Sequence, residues 1–195
     1  KLLLQSEKGG ALYVNEWYAD EEEWHDTTYY YYGEEGVAPN GLYEVNGVTY
    51  YFNDGYMYVD RVVRVDDKFY ICSSSGTLVE IKNNTWTYVE GYYYYVKDNE
   101  LLEECVEKIG DYYYGFDDEG RMYNNEEFSL YDDDEDKWNN YYAQAGGALY
   151  TNGWYKETAS MSTYYYYYGA DGKAYTGVQN VNGVMYYFNE YNGIW

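Results

Sequence analysis

The sequence is poor in residues on which many folds and most catalytic sites depend. It contains one histidine, two cysteines and one proline among 195 residues. Two cysteines are too few for a disulfide framework, and Cys72 and Cys105 fall in different repeats, so we expect free thiols. A single proline argues against collagen-like or proline-rich structure. Leucine, isoleucine and valine are scarce and the mean hydropathy is −0.78, so an aliphatic core is not expected.

Positive charge and long apolar stretches are also lacking. The chain has 12 Lys and Arg residues against 35 Asp and Glu residues, which gives a formal net charge of −23. Such a field repels phosphate backbones and anionic lipids, so nucleic acid is not an expected partner. A neutral polysaccharide, a cation such as choline, or Ca²⁺ remains compatible, although the acidity could equally serve only solubility.

No apolar run reaches the roughly 18 residues of a membrane-spanning helix, so membrane insertion is not expected. The initial KLLLQ is too short for the core of a signal peptide, and the chain begins within a repeat. We therefore expect a fragment of a longer protein.

What the chain does contain is tyrosine, which occurs 35 times, with aromatic residues making up 24% of the sequence. Tyrosine and tryptophan bury large flat surfaces but keep a polar edge that needs water or a partner. A fold built from them should be thin, with most rings half-buried. The 20 glycines, together with β-favouring residues, indicate strands joined by tight turns.

The sequence is internally repeated. A segment beginning GGALY at Gly9 reappears from Gly146, and a single one-residue gap aligns the two copies, with Trp17 on Trp154 and Phe52 on Phe188. Within each copy a smaller unit recurs, consisting of a short strand, a turn, a Tyr-rich strand and a looser turn closed by Gly. The Tyr-rich strands are predicted to end at Ser6, Tyr32, Phe52, Cys72, Val96, Phe116, Ala143, Tyr168 and Phe188, a period of roughly 20 to 27 residues.

The stretches VNGVTYYF and VNGVMYYF indicate two-residue hairpins, because Asn-Gly accepts the positive φ angles of a type I′ turn. A single hairpin is marginal in water, so each should bury its aromatic face against the next. The predicted fold class is therefore all-β, a β-hairpin solenoid of roughly eight to nine stacked two-stranded repeats in one domain over residues 1–195.

At NGLYEVNGVTYYFNDG and TGVQNVNGVMYYFNEYNG the sequence resembles the cell-wall-binding or glucan-binding repeat family, which includes choline-binding modules and clostridial toxin C-terminal repeats. This resemblance implies a superhelical hairpin stack on secreted or surface-anchored proteins of Gram-positive bacteria, with ligands held between consecutive hairpins. Choline sites in that family look like cages of two Trp and one Tyr. Carried over by position, the first ring matches Trp17, Trp86 and Trp154, and the second matches Tyr29, Tyr93 and Tyr165.

The cage positions are lost in other units, where Leu42 and Val178 replace the first ring and Thr49 and Met185 replace the second. A regular array of choline sites is thus not expected, and two or three competent sites remain. The predicted ligand-binding residues are Trp17, Tyr29, Tyr31, Trp86, Tyr93, Trp154, Tyr165 and Tyr167. Most other tyrosines are interpreted as packing material of the stack.

Flat rings suit the apolar face of a pyranose, and a box of rings would equally hold a quaternary ammonium. The preferred function is non-catalytic adhesion to a glucan or cell-wall polysaccharide outside the cell. The alternatives are choline binding to teichoic acids and a purely structural spacer or host-interaction stalk. The sequence implies no cofactor.

Catalysis and metal binding find little support in the sequence. His25 lies in the insertion DEEEWHDTT without the pattern of a nucleophile elbow or triad, and is interpreted as a loop residue. The run Asp132 to Asp136 lacks the alternating ligands and central Gly of a calcium loop, so a solvated turn is favoured. Glu21 to Glu23 are interpreted in the same way.

Overall fold

The described part of the chain, in a computed structural model, is built from antiparallel β-hairpins. It comprises residues 12–21, 27–53, 55–159 and 162–195. The predicted strand end at Ser6 and the insertion residue His25 lie outside these ranges. The chain divides into two compact units, unit 1 (Lys1–Leu101) and unit 2 (Leu102–Trp195), so the prediction of one continuous domain stays a prediction.

Eight hairpins occur within the described residues, four in each unit. Hairpins 1 to 4 are β1 (Glu16–Asp20) with β2 (Thr28–Tyr32), β3 (Gly41–Val45) with β4 (Val48–Asn53), β6 (Arg61–Val65) with β7 (Lys68–Cys72), and β9 (Trp86–Val89) with β10 (Tyr92–Lys97). Hairpins 5 to 8 are β12 (Cys105–Ile109) with β13 (Tyr112–Phe116), β14 (Glu126–Asp132) with β15 (Lys137–Ala143), β16 (Gly153–Ala159) with β17 (Ser162–Tyr168), and β18 (Gly177–Val181) with β19 (Val184–Phe188). The predicted all-β hairpin class is confirmed.

Short additional strands link or extend the hairpins of unit 1. They are β5 (Tyr56–Met57), β8 (Leu78–Ile81) and β11 (Glu100–Leu101), and a single 3₁₀ turn covers Glu34–Gly36. β5 pairs with both β2 and β4, so hairpins 1 and 2 belong to one five-stranded sheet.

The two-residue turns form as the Asn-Gly pairs predict. Asn46 and Gly47 have φ angles of 52° and 81°, and Asn182 and Gly183 have 54° and 88°. Two consecutive positive φ angles are the signature of the type I′ turn, whose twist matches that of the strands. The register that results places Leu42 opposite Tyr51 and Val178 opposite Tyr187, so the two copies of this hairpin are built alike.

The core follows the end of each Tyr-rich strand. The eight predicted strand-end residues within the described ranges are at most 3% exposed, namely Tyr32, Phe52, Cys72, Val96, Phe116, Ala143, Tyr168 and Phe188. Each hairpin therefore buries one side chain of variable size at the same point. Burial also raises the pKa of Cys72 to about 12, and both Cys72 and Cys105 are free thiols.

A turn with the same hydrogen bonds follows β2, β7, β13, β15 and β17. In the turn after β7, the Ser73 N–H donates to the Thr77 carbonyl (2.9 Å) and the Gly76 N–H donates to the Ser73 carbonyl (2.8 Å). Gly76 has a φ angle of 79°, and a Cβ there would overlap the Met57 side chain. This glycine is therefore required both for the turn and for close packing on the preceding repeat.

Candidate functional site

The first two hairpins enclose an open groove of about 390 Å³, which we call the Trp17 groove. It is lined by Trp17, Tyr29, Tyr50, Met57, Ser74 and Ser75. Trp17 pairs across hairpin 1 with Tyr31, and Tyr29 lies two residues before Tyr31, so these side chains share one face of the hairpin. Trp17 and Tyr29 are 38% and 42% exposed, which leaves ring surface available to a ligand.

The facing wall of the groove comes from hairpin 2. The Tyr50 ring lies 5.2 Å from the Trp17 ring, centroid to centroid, with the two planes at 75°. Tyr50 is two residues before the buried Phe52, whose ring is also 6.0 Å from Trp17. Perpendicular ring pairs of this kind are a favourable aromatic geometry and hold both walls in place.

Tyr31, another predicted ligand residue, lies beneath this groove. It is only 8% exposed, and its ring contacts Trp17 at 5.2 Å. Burial, and secondarily Tyr43, raises the pKa of its hydroxyl. Tyr31 thus supports the Trp17 ring, and little of its own surface is open to a ligand.

Polar groups close one end of the Trp17 groove. Ser74 and Ser75 belong to the turn after hairpin 3, and Ser74 donates to the Glu90 carboxylate from both its backbone N–H (2.9 Å) and its Oγ (2.8 Å). These two hydrogen bonds lower the pKa of Glu90. The turn of hairpin 4 therefore anchors a wall of the groove between hairpins 1 and 2.

The second copy of the repeat forms a compact group of rings, which we call the Trp154 cluster (Trp154, Tyr165, Tyr186 and Trp195). Trp195 lies 5.8 Å from Trp154, 5.8 Å from Tyr165 and 5.9 Å from Tyr186, with planes inclined at 70–77°. Trp154 also contacts Tyr186 at 5.0 Å. The Trp195 N–H donates to the Tyr165 carbonyl (2.9 Å), which fixes this ring against hairpin 7.

The remaining predicted residues are placed less distinctively. Tyr167 packs against Trp154 at 5.4 Å and is half-buried, as expected for the equivalent of Tyr31. On hairpin 4, Trp86 and Tyr93 are perpendicular at 6.2 Å, and Tyr93 is 41% exposed. Ligand binding by all of these residues stays a prediction.

Sequence reasoning missed six residues that line the Trp17 groove or complete the Trp154 cluster: Tyr50, Met57, Ser74, Ser75, Tyr186 and Trp195. Tyr50 and Tyr186 could have been identified from strand alternation, because each lies two residues before a buried Phe and so faces the preceding hairpin. Met57 and Trp195 occupy the same place after their closing glycines, Gly55 and Gly193, although the intervening turns differ in length.

The acidic run at the tip of hairpin 6 is engaged in structural contacts. Asp132 accepts hydrogen bonds from the backbone of Asp134 and Glu135 (both 3.1 Å) and forms an ion pair with Lys173 (2.9 Å). The ion pair and these bonds lower the pKa of Asp132. Within the described ranges no group of three or more His, Cys, Asp or Glu side chains is arranged to hold a metal ion. The same residues include no helix long and apolar enough to span a bilayer.

Comparison with solved structures finds proteins with similar repeats. The CbpJ protein of Streptococcus pneumoniae TIGR4 is 21% identical (TM-score 0.45), with 95% of this chain and 73% of that chain covered. Choline binding protein F of Streptococcus pneumoniae is 22% identical (TM-score 0.47), with 98% and 63% covered. An alternansucrase in complex with isomaltononaose is 17% identical (TM-score 0.32), with 91% and 16% covered.

This chain thus spans less than two thirds of choline binding protein F and a small part of the alternansucrase. No protein-family model matches the chain, and no curated protein matches it either. These likenesses agree with the resemblance seen in the sequence. Because the identities and TM-scores are low, the function proposed below rests on the geometry of the grooves.

Proposed function

We propose that this chain is a non-catalytic binding module that holds saccharide units of a cell-wall or glucan polymer in aromatic grooves between its hairpins. The observation that carries the proposal is the Trp17 groove, in which two exposed rings of hairpin 1, the half-buried Tyr50 ring of hairpin 2 and two serine hydroxyls face one open volume of about 390 Å³. The volume is of the size that small-ligand sites commonly have.

The chemistry of the Trp17 groove suits a neutral sugar. A pyranose presents an apolar face of C–H groups, and stacking this face on Trp17 or Tyr29 removes it from water without requiring charge. The hydroxyls of Ser74 and Ser75 at the groove end can exchange hydrogen bonds with sugar hydroxyls. The same pairing of ring and hydroxyl would hold one unit of a longer polymer, so that several weak sites add up to useful affinity.

Choline is the second candidate, and the Trp154 cluster favours it. Trp195 contacts Trp154, Tyr165 and Tyr186 at 70–77°, and Trp154 and Trp195 are 36% and 56% exposed. Each exposed ring surface would attract a quaternary ammonium by about 0.5 to 2 kcal/mol. The net charge of −23 adds a general attraction for cations. Similar proteins include a choline binding protein, also studied with a peptidoglycan analogue, and an alternansucrase in complex with isomaltononaose.

We further propose that the module acts outside the cell, anchoring the protein that carries it to the envelope. A location at the cell envelope agrees with the neutral or cationic polymers proposed above as ligands. No cofactor is part of this function.

A glycan array probed with the chain, with and without millimolar choline, tests the proposal. Trp17→Ala, Trp154→Ala and the double variant should reduce glycan or choline binding, the double variant by about tenfold or more, as expected for about 1.4 kcal/mol of lost contact. Trp138→Ala is the matched control, because Trp138 is 61% exposed near the tip of hairpin 6, apart from the ring-lined sites.

The outcomes separate the candidate functions. Glycan binding that choline does not displace supports the saccharide proposal, and retention on choline with displacement by free choline supports the second candidate. A double variant that stays folded by circular dichroism and binds as the native chain does would contradict the site. A chain with no saturable small ligand would be a structural spacer.

A further inference from the structure

Unit 2 contains a second groove, of about 160 Å³, between hairpins 6 and 7, which we call the Glu127 groove. Its walls include Glu127 and Ser129 of β14, Asn140 of β15, Tyr166 of β17, and Asn192 of the turn after hairpin 8. Its volume is smaller than that of the Trp17 groove, and the four rings that complete its lining, Phe128, Tyr141, Tyr166 and Tyr168, are buried.

The Glu127 groove occupies the same place in the repeat as the Trp17 groove. In hairpin 6, Glu126 pairs with the buried strand end Ala143, and Glu127 follows Glu126. In hairpin 1, Glu16 pairs with the strand end Tyr32, and Trp17 follows Glu16. Asn140 lies three residues before Ala143, as Tyr29 lies three before Tyr32. The two positions that carry rings in hairpin 1 therefore carry a carboxylate and a carboxamide in hairpin 6.

The rest of the groove preserves this equivalence. Tyr166 lies two residues before the buried Tyr168, as Tyr50 lies two before Phe52. Ser75, in the turn after hairpin 3, completes the wall of the Trp17 groove between hairpins 1 and 2. Asn192, in the turn after hairpin 8, does the same for the Glu127 groove between hairpins 6 and 7. The two grooves therefore have the same position in the repeat but present different side chains to a ligand.

Hydrogen bonding leaves the Glu127 carboxylate available. Ser129 Oγ donates to Asn140 Oδ1 (2.6 Å), Asn140 Nδ2 donates to the Tyr191 carbonyl (3.2 Å), and the Tyr166 hydroxyl donates to Glu157 (3.2 Å). Among the described residues, none donates a hydrogen bond to the Glu127 carboxylate or forms an ion pair with it. Loss of solvation, and secondarily Glu157, raises the pKa of Glu127, so a nearby cation would be favoured.

We propose that the Glu127 groove binds the protonated primary amino group of a ligand, so that one chain carries two chemically different kinds of site. The inference rests on the proposed function, because it assigns a ligand class to a second groove of the same binding module. The Glu127 carboxylate and the Ser129 hydroxyl oxygen accept the hydrogen bonds of the ammonium, and Tyr166, which is only 7% exposed, bounds the groove beneath them.

A primary ammonium fits this groove better than a quaternary one. A primary ammonium donates up to three hydrogen bonds, which the carboxylate and hydroxyl oxygens can accept. A quaternary ammonium has no N–H group, and the two rings that would attract it at the equivalent positions of hairpin 1 are absent here. The groove therefore discriminates against choline.

Calorimetric titration of the whole chain at about pH 7 tests the inference with four probes: glucosamine, N-acetylglucosamine, Nα-acetyl-lysine amide and choline. Glu127→Gln keeps the shape of the side chain and removes its charge. Glu126→Gln is the matched control on the adjacent, exposed position of the same strand, and its carboxamide oxygen can still accept the Asn124 N–H. Trp17→Ala combined with Trp154→Ala removes the ring-lined sites.

The expected result is binding of glucosamine that Glu127→Gln weakens by roughly 10- to 100-fold, as for loss of a charge-assisted hydrogen bond. Glu126→Gln and the Trp double variant should change the glucosamine affinity by less than about twofold. Failure of the ring-lined sites would therefore leave this result unchanged, so the two proposals can be told apart. Binding of the lysine derivative as well would identify any primary ammonium as the ligand, whereas glucosamine alone would identify an amino sugar. Equal affinity of the Trp double variant for glucosamine and for N-acetylglucosamine or choline, no binding of either amine, or unchanged glucosamine affinity in Glu127→Gln would overturn the inference.

Discussion

The end copies of the repeat and the hairpins between them share one backbone but differ in their exposed side chains. Hairpins 1 and 7 carry Trp17 and Trp154 at the first groove position, whereas hairpin 5 has Val106 and hairpin 6 has Glu127. Even so, the strand ends of hairpins 5 and 6 are fully buried. The hairpin stack thus forms without rings at the groove positions, which frees the rings of the end copies to serve a ligand.

The middle hairpins of unit 2 are held by a nearly parallel stack of three rings. Phe128 lies nearly parallel to Tyr123 at 3.9 Å and to Tyr141 at 5.1 Å. This arrangement is possible because Gly115 stands where hairpin 1 has Tyr31, and a Cβ at Gly115 would overlap the Phe128 ring. Hairpin 5 thus has room for the Phe128 ring at the position where hairpin 1 has Tyr31, the ring that supports Trp17.

Gly115→Ala should have the largest effect on stability, because it fills the space that the Phe128 ring occupies in the middle hairpins. Gly115 has no positive φ angle, so the change tests steric overlap with Phe128 alone. We expect a loss of about 1 to 3 kcal/mol in the free energy of unfolding, measured by urea denaturation.

Gly153→Ala is the matched control for this substitution. Gly153 is also a strand glycine of unit 2, its equivalent in hairpin 1 is Glu16, and a Cβ there would lie 3.3 Å from the nearest Tyr150 ring atom. Its effect should be clearly smaller. Equal stabilities of the two variants would show that Phe128 can move aside and that the middle packing is loose.

The hairpin architecture could be predicted because its signals are local and repeated. Asn46-Gly47 specifies a turn by its own conformational preference, and the apolar or aromatic strand end recurs roughly every 20 to 27 residues. Alternation along a strand then determines which side chains share a face, which places Trp17 with Tyr29 correctly.

The walls of the grooves could not be predicted because they depend on contacts between non-adjacent repeats. Ser74 reaches the Trp17 groove from two hairpins further along the chain, and Glu90 holds it there from a third. The Glu127 groove could not be predicted for another reason. Hairpin 6 has Glu127 and Asn140 where hairpin 1 has Trp17 and Tyr29, so a pattern of rings does not indicate a groove there.

Trp195→Met should sharpen the difference between the two end copies. Met57 occupies the position of Trp195 in the first copy, so this variant gives the Trp154 cluster the composition of the Trp17 groove. If the cluster binds a quaternary ammonium, losing one ring should weaken choline binding by roughly 2- to 30-fold in fluorescence or calorimetric titration. Trp138→Ala again serves as the control, and unchanged choline affinity in Trp195→Met would exclude this ring from the site.

Glu90→Gln should produce the smallest effect, at the far wall of the Trp17 groove. The carboxylate accepts two hydrogen bonds from Ser74, and a carboxamide can accept them only through its single oxygen and without charge. Saccharide affinity should fall by roughly two- to fivefold at neutral pH. Glu100→Gln, which affects only a surface ion pair with Arg64 in the same unit, should leave the affinity unchanged.

The pH dependence of binding separates anchoring by Glu90 from a general effect of acidity. Because Ser74 lowers the pKa of Glu90 in the folded chain, the anchor is fully present above the ordinary pKa of a glutamate and is lost as the pH falls through the lowered value. Native binding should therefore hold at pH 5 to 7 and weaken below about pH 4, whereas Glu90→Gln should lack this acid-induced step. The same acid-induced weakening in both proteins would mean that the serine wall stays in place without Glu90, and that hairpins 1 and 2 alone determine the shape of the groove.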